Sequence, residues 1–319
     1  MTYTGVVIGL GQVGMQYDAG TDAATNILSH SRALSEHPDF SLAGGVDPQA
    51  ARRSEFESAF GVPAGGSVEA MLRAERPDVV VIATPTPTHA DTLAEVLGVH
   101  TPRAVLVEKP LSLSRDEAVS MVQACRSADC ALFVNYIRRA YPAYQEVRDR
   151  ISDGTFQGPF KGVVWYSGGV LNNGSHMVNL LEFWFGEALE TRVVSPARTR
   201  GGDPDPDLWI RFEHCAVHVV ATPPSALSYV GAELIGTNGR LVVEGASNGC
   251  TWQPVIPNPT FTGHKCLSVT ATSIELDWLR SQWLVLDELA EHLRKGRGSL
   301  CTGEQALATL NALEPLRSA

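Results

Sequence analysis

Three stretches of this chain carry residue types and spacings that could do chemistry. Gly9-Leu10-Gly11-Gln12-Val13-Gly14 is a G-x-G-x-x-G run placed directly after the apolar Val6-Val7-Ile8. Between a strand and a helix such a run cradles a pyrophosphate. Gly9 allows the tight turn, Gly11 lets the backbone approach the phosphates, and Gly14 lets helix and strand pack closely. The helix that follows would add its free N–H groups and the positive end of its dipole. Asp47 ends the apolar run from Leu42 to Val46. A carboxylate there accepts hydrogen bonds from ribose hydroxyls and repels a 2′-phosphate, which favours NAD; Arg52 and Arg53 keep NADP open. Asp47 lies beyond the usual spacing of ~20 residues from the glycines, and residues 16–25 read as a loop inserted after the first helical turn. An Asp-Pro helix start is the plainer reading of Asp47. Lys109 follows the apolar run Ala104–Val107. At the carboxyl end of a parallel strand it would point into the ligand crevice, where partial burial helps an amine to exchange a proton near neutrality. On spacing alone, a surface lysine before a turn is the simpler reading.

The elements that must position these residues form a regular grammar. Apolar runs at 6–8, 42–46, 79–83, 104–107 and 131–134 alternate with helical periodicity at 27–37, 48–60, 67–74, 88–97 and 114–127. The last of these opens with a Ser-x-x-Glu capping box, Ser114 to Glu117. Such alternation implies a doubly wound parallel sheet covered on both faces. The grammar then changes. A helix at 144–151 is followed by strand-like runs at 160–166, 192–195, 208–212, 216–221, 229–235 and 241–244, with a helix at 177–185 between the first two. Helices at 276–295 and 304–318 finish the chain. The fold class is α/β, with an N-terminal Rossmann domain at 1–132 and, at 133–319, a second domain built on an open sheet packed on a helical layer.

Composition narrows the functions. A net charge of −10 argues against phosphate-rich partners, so no nucleic acid is expected. No apolar run is long enough to span a bilayer, and residues 3–10 lack the form of a signal peptide. A cytoplasmic protein with six reduced cysteines is expected. His214 and His218 share a strand face without a third ligand, and Asp203-Pro204-Asp205-Pro206-Asp207 is a stiff acidic turn, so no metal site is expected. Trp165 and Tyr166 suit either the apolar side of a sugar or the sheet core. Arg138 and Arg139 could receive a phosphate. Trp278, Leu279, Trp283 and Leu286 have the spacing of a buried helix stripe.

Taken together, the glycine run, Ala83-Thr84-Pro85-Thr86-Pro87-Thr88-His89, Glu108-Lys109-Pro110, and Asn172-Asn173-Gly174-Ser175-His176 make a chain that resembles the Gfo/Idh/MocA oxidoreductases. Arg139 with Pro142 and Gly154 with Gly158 extend the likeness. That family includes glucose–fructose oxidoreductase and inositol 2-dehydrogenase. The resemblance implies an NAD(P)-dependent enzyme acting on a sugar, cyclitol or nucleotide sugar, with a mostly antiparallel second sheet that makes a homodimer or homotetramer. It implies Lys109 and His176 as catalytic residues and a cis Pro110. It adds Thr84, Pro85, His89 and Glu108 to the cofactor residues Gly9, Gly11, Gln12, Val13, Gly14, Asp47 and Lys109. The substrate residues are then Tyr136, Arg139, Trp165, Asn172, Asn173 and His176. One departure stands out: the family pattern Asp-x-Gly-x-His-x-x-Asp has Asn172 and Asn179 at its acidic positions here. Without those charges His176 is the weaker base, and Lys109 is the main acid/base. Two other functions fit the same fold: nicotinamide chemistry without net redox, as in epimerisation or oxidative glycoside cleavage, and a silent NAD-binding regulator.

Overall fold

The computed structural model describes residues 2–22, 24–197, 202–223, 228–245 and 249–314. They fall into two compact units, one of residues 1–140 and 279–307, the other of residues 141–278 and 308–319.

In the first unit the apolar runs become β1 (Tyr3–Ile8), β2 (Phe40–Val46), β3 (Ala64–Gly65), β4 (Val79–Ile82), β5 (Ala104–Val107) and β6 (Ala131–Val134). They lie side by side in the order β6-β5-β4-β1-β2-β3, all parallel. Every side chain of β4 and β5 is fully buried, which is why these strands read as continuous rather than alternating apolar runs. One face packs against the helices His30–Glu36 and Ser281–Lys295 through Ala33, Leu34, Val285, Leu286, Leu289 and Ala290. Helix Arg115–Ser127 is capped by Ser114, whose side chain accepts from Glu117 N. The return arm of the expected capping box is relayed: Ser114 N donates to Ser112 Oγ, which donates to Glu117 Oε2 at 2.6 Å.

Two sequence expectations change here. The sequence division fell after residue 132, whereas the first unit runs to Ala140 and recovers Leu279–Leu307. Periodicity reveals an apolar stripe but not which core receives it. The stripe itself is Val285, Leu286, Leu289 and Ala290, while Trp278, expected to be buried, is exposed.

In the second unit the strands are β7 (Phe160–Tyr166), β8 (Glu190–Ser195), β9 (Asp207–Arg211), β10 (Cys215–Ala221), β11 (Gly231–Ile235), β12 (Gly239–Glu244), β13 (Cys250–Pro257), β14 (Lys265–Leu267) and β15 (Thr272–Ile274). The sheet runs β14-β13-β12-β11-β7-β10-β9-β8, with β15 also on β13. Only the β7–β10 pair is parallel. Burial alternates along β10, with Cys215, Val217, Val219 and Ala221 inward and His218 exposed, as a sheet covered on one face requires. His214 sits in the turn before β10 rather than on the strand face it was expected to share with His218. The strands β13 to β15, at one end of the sheet, escaped the sequence reading because prolines and exposed polar residues blur their alternation. The final helix is Gly303–Ala312, and residues 315–318 of the expected helix lie outside the described residues.

Candidate active site

The carboxyl ends of β1, β4, β5 and β6 lie at one edge of the parallel sheet. Four stretches leave there: Gly9–Gly14, Ala83–Thr84, Glu108–Lys109 and Asn135–Tyr136. Gly9 adopts φ 97°, and a Cβ on it would approach the Ala83 carbonyl oxygen to 2.6 Å. A Cβ on Gly14 would collide with the Gly9 carbonyl oxygen. Gly11 is different, because a Cβ there meets only an Arg52 nitrogen at 3.9 Å. Gly9 and Gly14 are thus demanded by the fold, and Gly11 leaves open space above the turn. That cradle fits a pyrophosphate. Gln12 is exposed and Val13 half-buried at its rim.

Only the first turn of the expected helix follows the glycines directly. Gln12–Gln16 makes a single π-helical turn, closed by Gln16 N to Gly11 O at 3.1 Å. A five-residue turn has little dipole, so the cradle itself must do the holding. The chain then runs through the insertion anticipated from spacing. Buried Asp18 pins its end, accepting from Leu28 N at 2.7 Å, Ser29 N at 2.8 Å and Ser29 Oγ at 2.7 Å. Helix His30–Glu36 starts only after it, and Ser31 Oγ donates back to Gly14 O.

Asp47, 2% exposed, accepts from Leu10 N at 3.0 Å and from Gln49 N at 2.9 Å, and Arg52 lies at 3.3 Å. Both oxygens are therefore engaged by the fold, one of them to the glycine turn. Thr84 is half-buried and Pro85 exposed, and Thr88 Oγ1 donates to Thr84 Oγ1. His89 is fully buried. Its ring spans the carbonyl oxygens of Leu111, 3.2 Å from Nδ1, and Thr84, 2.9 Å from Nε2. It ties the two loops together from beneath.

Lys109 is half-buried, and the Lys109–Pro110 bond is cis, as the resemblance implies. Beside it the Glu108 carboxylate lies 2.8 Å from His30 Nε2 and accepts from Asn135 Nδ2 at 2.6 Å. The Asn135 amide also reaches Gln282 Oε1 at 3.2 Å. Burial pushes the Glu108 carboxyl up. The His30 hydrogen bond and charge, the Asn135 amide and the charge on Lys109 outweigh it and hold the group below the ordinary value of 4.5. Sequence reasoning missed His30, Asn135 and Gln282. The late helix start at Ser29-His30 was the one available signal, since the contacts span long stretches of chain. Tyr136 and Arg139 are buried, and the Arg139 guanidinium donates to Gln305 Oε1 at 2.6 Å.

In the second unit Trp165 stands exposed on β7, opposite Val220 and Gly231. The turn Val170–Gly174 precedes helix Ser175–Phe185, whose second residue is the buried His176. Asp203 holds the turn, accepting from Leu171 N at 2.9 Å and Asn172 N at 2.6 Å. Asn172 Nδ2 lies 3.4 Å from Gly168 O, and Asn173 Nδ2 donates to Ser167 O at 2.7 Å. Both side-chain amides thus hold the loop they sit on. Asn179 is 1% exposed and donates to Thr309 Oγ1 at 2.9 Å, while Thr309 donates to Glu182. An amide at 179 suits that buried network better than a second carboxylate would.

Known proteins resemble this chain in sequence and in fold. Residues 5–136 match the family model described as an oxidoreductase family with an NAD-binding Rossmann fold. The scyllo-inositol 2-dehydrogenase (NAD(+)) of Bacillus subtilis (strain 168) is 28% identical over 189 residues, 52% of this chain and 55% of that protein. The UDP-N-acetylglucosamine 3-dehydrogenase of Acidithiobacillus ferrooxidans is 36% identical over 110 residues, 34% of this chain and 33% of that protein. The chain thus matches about half or less of the length of these curated relatives. In fold the likeness extends over nearly the whole chain: the WlbA dehydrogenase from Bordetella pertussis, solved with NADH and UDP-GlcNAcA, superposes with a TM-score of 0.75 at 21% identity, covering 99% of this chain and 97% of that one.

Proposed function

Because this chain belongs, through residues 5–136, to the Gfo/Idh/MocA oxidoreductases, we propose that it is an NAD-dependent dehydrogenase or ketoreductase. Its substrate is a sugar, cyclitol or nucleotide sugar, the class named in its relatives. The observation that carries this reading is the shared sheet edge, with the open space above Gly11 and the half-buried Lys109 leaving strands of the same sheet. Gly9, Gly11, Gln12, Val13 and Gly14 cradle the pyrophosphate. Asp47 adds to its structural contacts by facing the adenosine ribose, which favours NAD over NADP. Thr84, Pro85 and Glu108 line the nicotinamide end, and His89 supports them.

A bound nicotinamide supplies or accepts the hydride. Lys109 handles the proton. As an ammonium it donates to the carbonyl oxygen of a ketone being reduced, and as a free amine it takes the hydroxyl proton of an alcohol being oxidised. His176, with neutral Asn172 near it in sequence, assists by hydrogen bonding. Tyr136, Arg139, Trp165, Asn172 and Asn173 complete the substrate contacts. The unit of residues 141–278 carries the subunit interface of a homodimer or homotetramer, and the protein works in the cytoplasm. Among the described residues no helix is long and apolar enough to cross a membrane.

Turnover is read as a change in nicotinamide absorbance across inositols and UDP-hexoses with NAD, and across ketosugars with NADH. Lys109→Ala should lower it by ~10²–10⁴-fold and leave NADH affinity little changed. Retained turnover removes Lys109 from the chemistry, and a wild-type chain that binds no nicotinamide dinucleotide removes the function.

A further inference from the structure

The insertion after the glycine turn ends in a delivered side chain. Asp18 closes the loop onto Leu28 and Ser29, Ser29 caps the helix, and the next residue, His30, is buried against Glu108. The start of helix His30–Glu36 and, through Asn135, the end of β6 meet that carboxylate at the end of β5, and Gln282 of helix Ser281–Lys295 accepts from the Asn135 amide behind them. A carboxylate largely withdrawn from water is costly unless donors and positive charge hold it, and here His30 and Asn135 hold one. Among the described residues the titratable groups acting on Glu108 are His30 and Lys109, with Asn135 a neutral amide beside them.

We propose that His30 is a positioning residue for Lys109: it keeps the Glu108 carboxylate ionised and in place, and that carboxylate sets the charge state of the neighbouring amine. The catalytic meaning of this rests on Lys109 being the acid/base. The linkage itself is a property of the folded chain. Without His30, the carboxylate loses a donor and a neighbouring charge, and its protonated form gains ground. Lys109 then loses the negative neighbour that favours its ammonium form.

The test needs neither substrate nor dinucleotide. Competitive labelling with acetic anhydride across pH, quantified on the Lys109 peptide by mass spectrometry, reads the titration of that amine in the full chain. Glu108→Gln should move the profile to lower pH by on the order of one unit. His30→Ala should move it the same way. His30→Gln, whose amide keeps an N–H for Glu108, should recover at least half of the shift. An unchanged profile in His30→Ala overturns the proposal. So does a shift to higher pH, which would mean that His30 acts through its own charge and not through Glu108. Should His30→Ala fail to fold, His30→Leu fills the imidazole's space without a donor and carries the same expectations. NADH titration of the wild type reports separately on the dinucleotide site, so its failure is distinguishable from failure of the linkage.

Discussion

The Asp47 carboxylate accepts the main-chain N–H of Leu10 at 3.0 Å, so the end of one strand holds the glycine turn of its neighbour. Asp47→Ala would leave that buried N–H unsatisfied, at a cost of about 1–3 kcal/mol. Thermal denaturation should show the loss with no ligand present. NADH affinity should fall further than NADPH affinity, measured by fluorescence titration. An Asp47→Ala protein as stable as the wild type would show that the contact contributes nothing to the turn.

The glycines should separate into two kinds. Gly14→Ala forces the backbone apart against the Gly9 carbonyl, and the expected result is a protein that folds poorly. Gly11→Ala has room for its methyl, and the expected result is a melting temperature near that of the wild type with NADH binding weakened roughly tenfold, about 1.4 kcal/mol. Equal destabilisation by the two would contradict the open space above Gly11.

Glu108 predicts a direction with pH. Its folded value lies below the ordinary 4.5. A depressed carboxyl adds stability that is complete above the unfolded value and lost as pH falls through the folded one. Wild type and Glu108→Gln should therefore differ in melting temperature by a constant amount from pH 7 down to about 5. Below 4.5 the gap should close. A gap that widens on acidification would mean that Glu108 folds protonated.

Asn179→Asp restores the residue expected from the family pattern, but it would place a carboxylate in the buried network of Thr309 and Glu182. The variant should lose on the order of 2 kcal/mol or more at pH 8. An acid whose pKa is raised by folding loses stability as pH rises, so the deficit should shrink towards pH 5. Dehydrogenase activity should not increase. A rise in turnover without loss of stability would mean that the amide at 179 is a catalytic deficit rather than a packing choice.

Much of the first unit was legible because its signals are local. Val79–Ile82 and Ala104–Val107 are buried on both faces and so are apolar at every position, and Gly9 and Gly14 announce a turn that only glycine can make. Lys109 stood out only through the Glu108-Lys109-Pro110 resemblance, since its place after β5 alone suited a surface lysine before a turn. What stayed hidden depends on contacts far apart in sequence. His30 meets Glu108 across 78 positions, and nothing in the spacing around either residue points to the other. Asn172 and Asn173 were readable as substrate contacts or turn residues, and their bonds to Gly168 and Ser167 supply the second role. His89 drew attention as a cofactor residue, yet its ring lies between two carbonyl oxygens. Periodicity found the helix at 281–295 without revealing that it belongs to the core of residues 1–140.

That last helix has a consequence for how the protein is made. Val285, Leu286, Leu289 and Ala290 cover the face bearing Val7, Leu34 and Leu106, and a ribosome translates them only after it has produced every strand of the other unit. The strands β1 to β6 of the first unit therefore emerge before the helix that covers them and wait with an unsealed greasy surface until residues 281–295 have been made. A nascent chain halted at residue 278 would hold all of the glycine turn and Lys109, and would still be an unfinished fold in need of a chaperone.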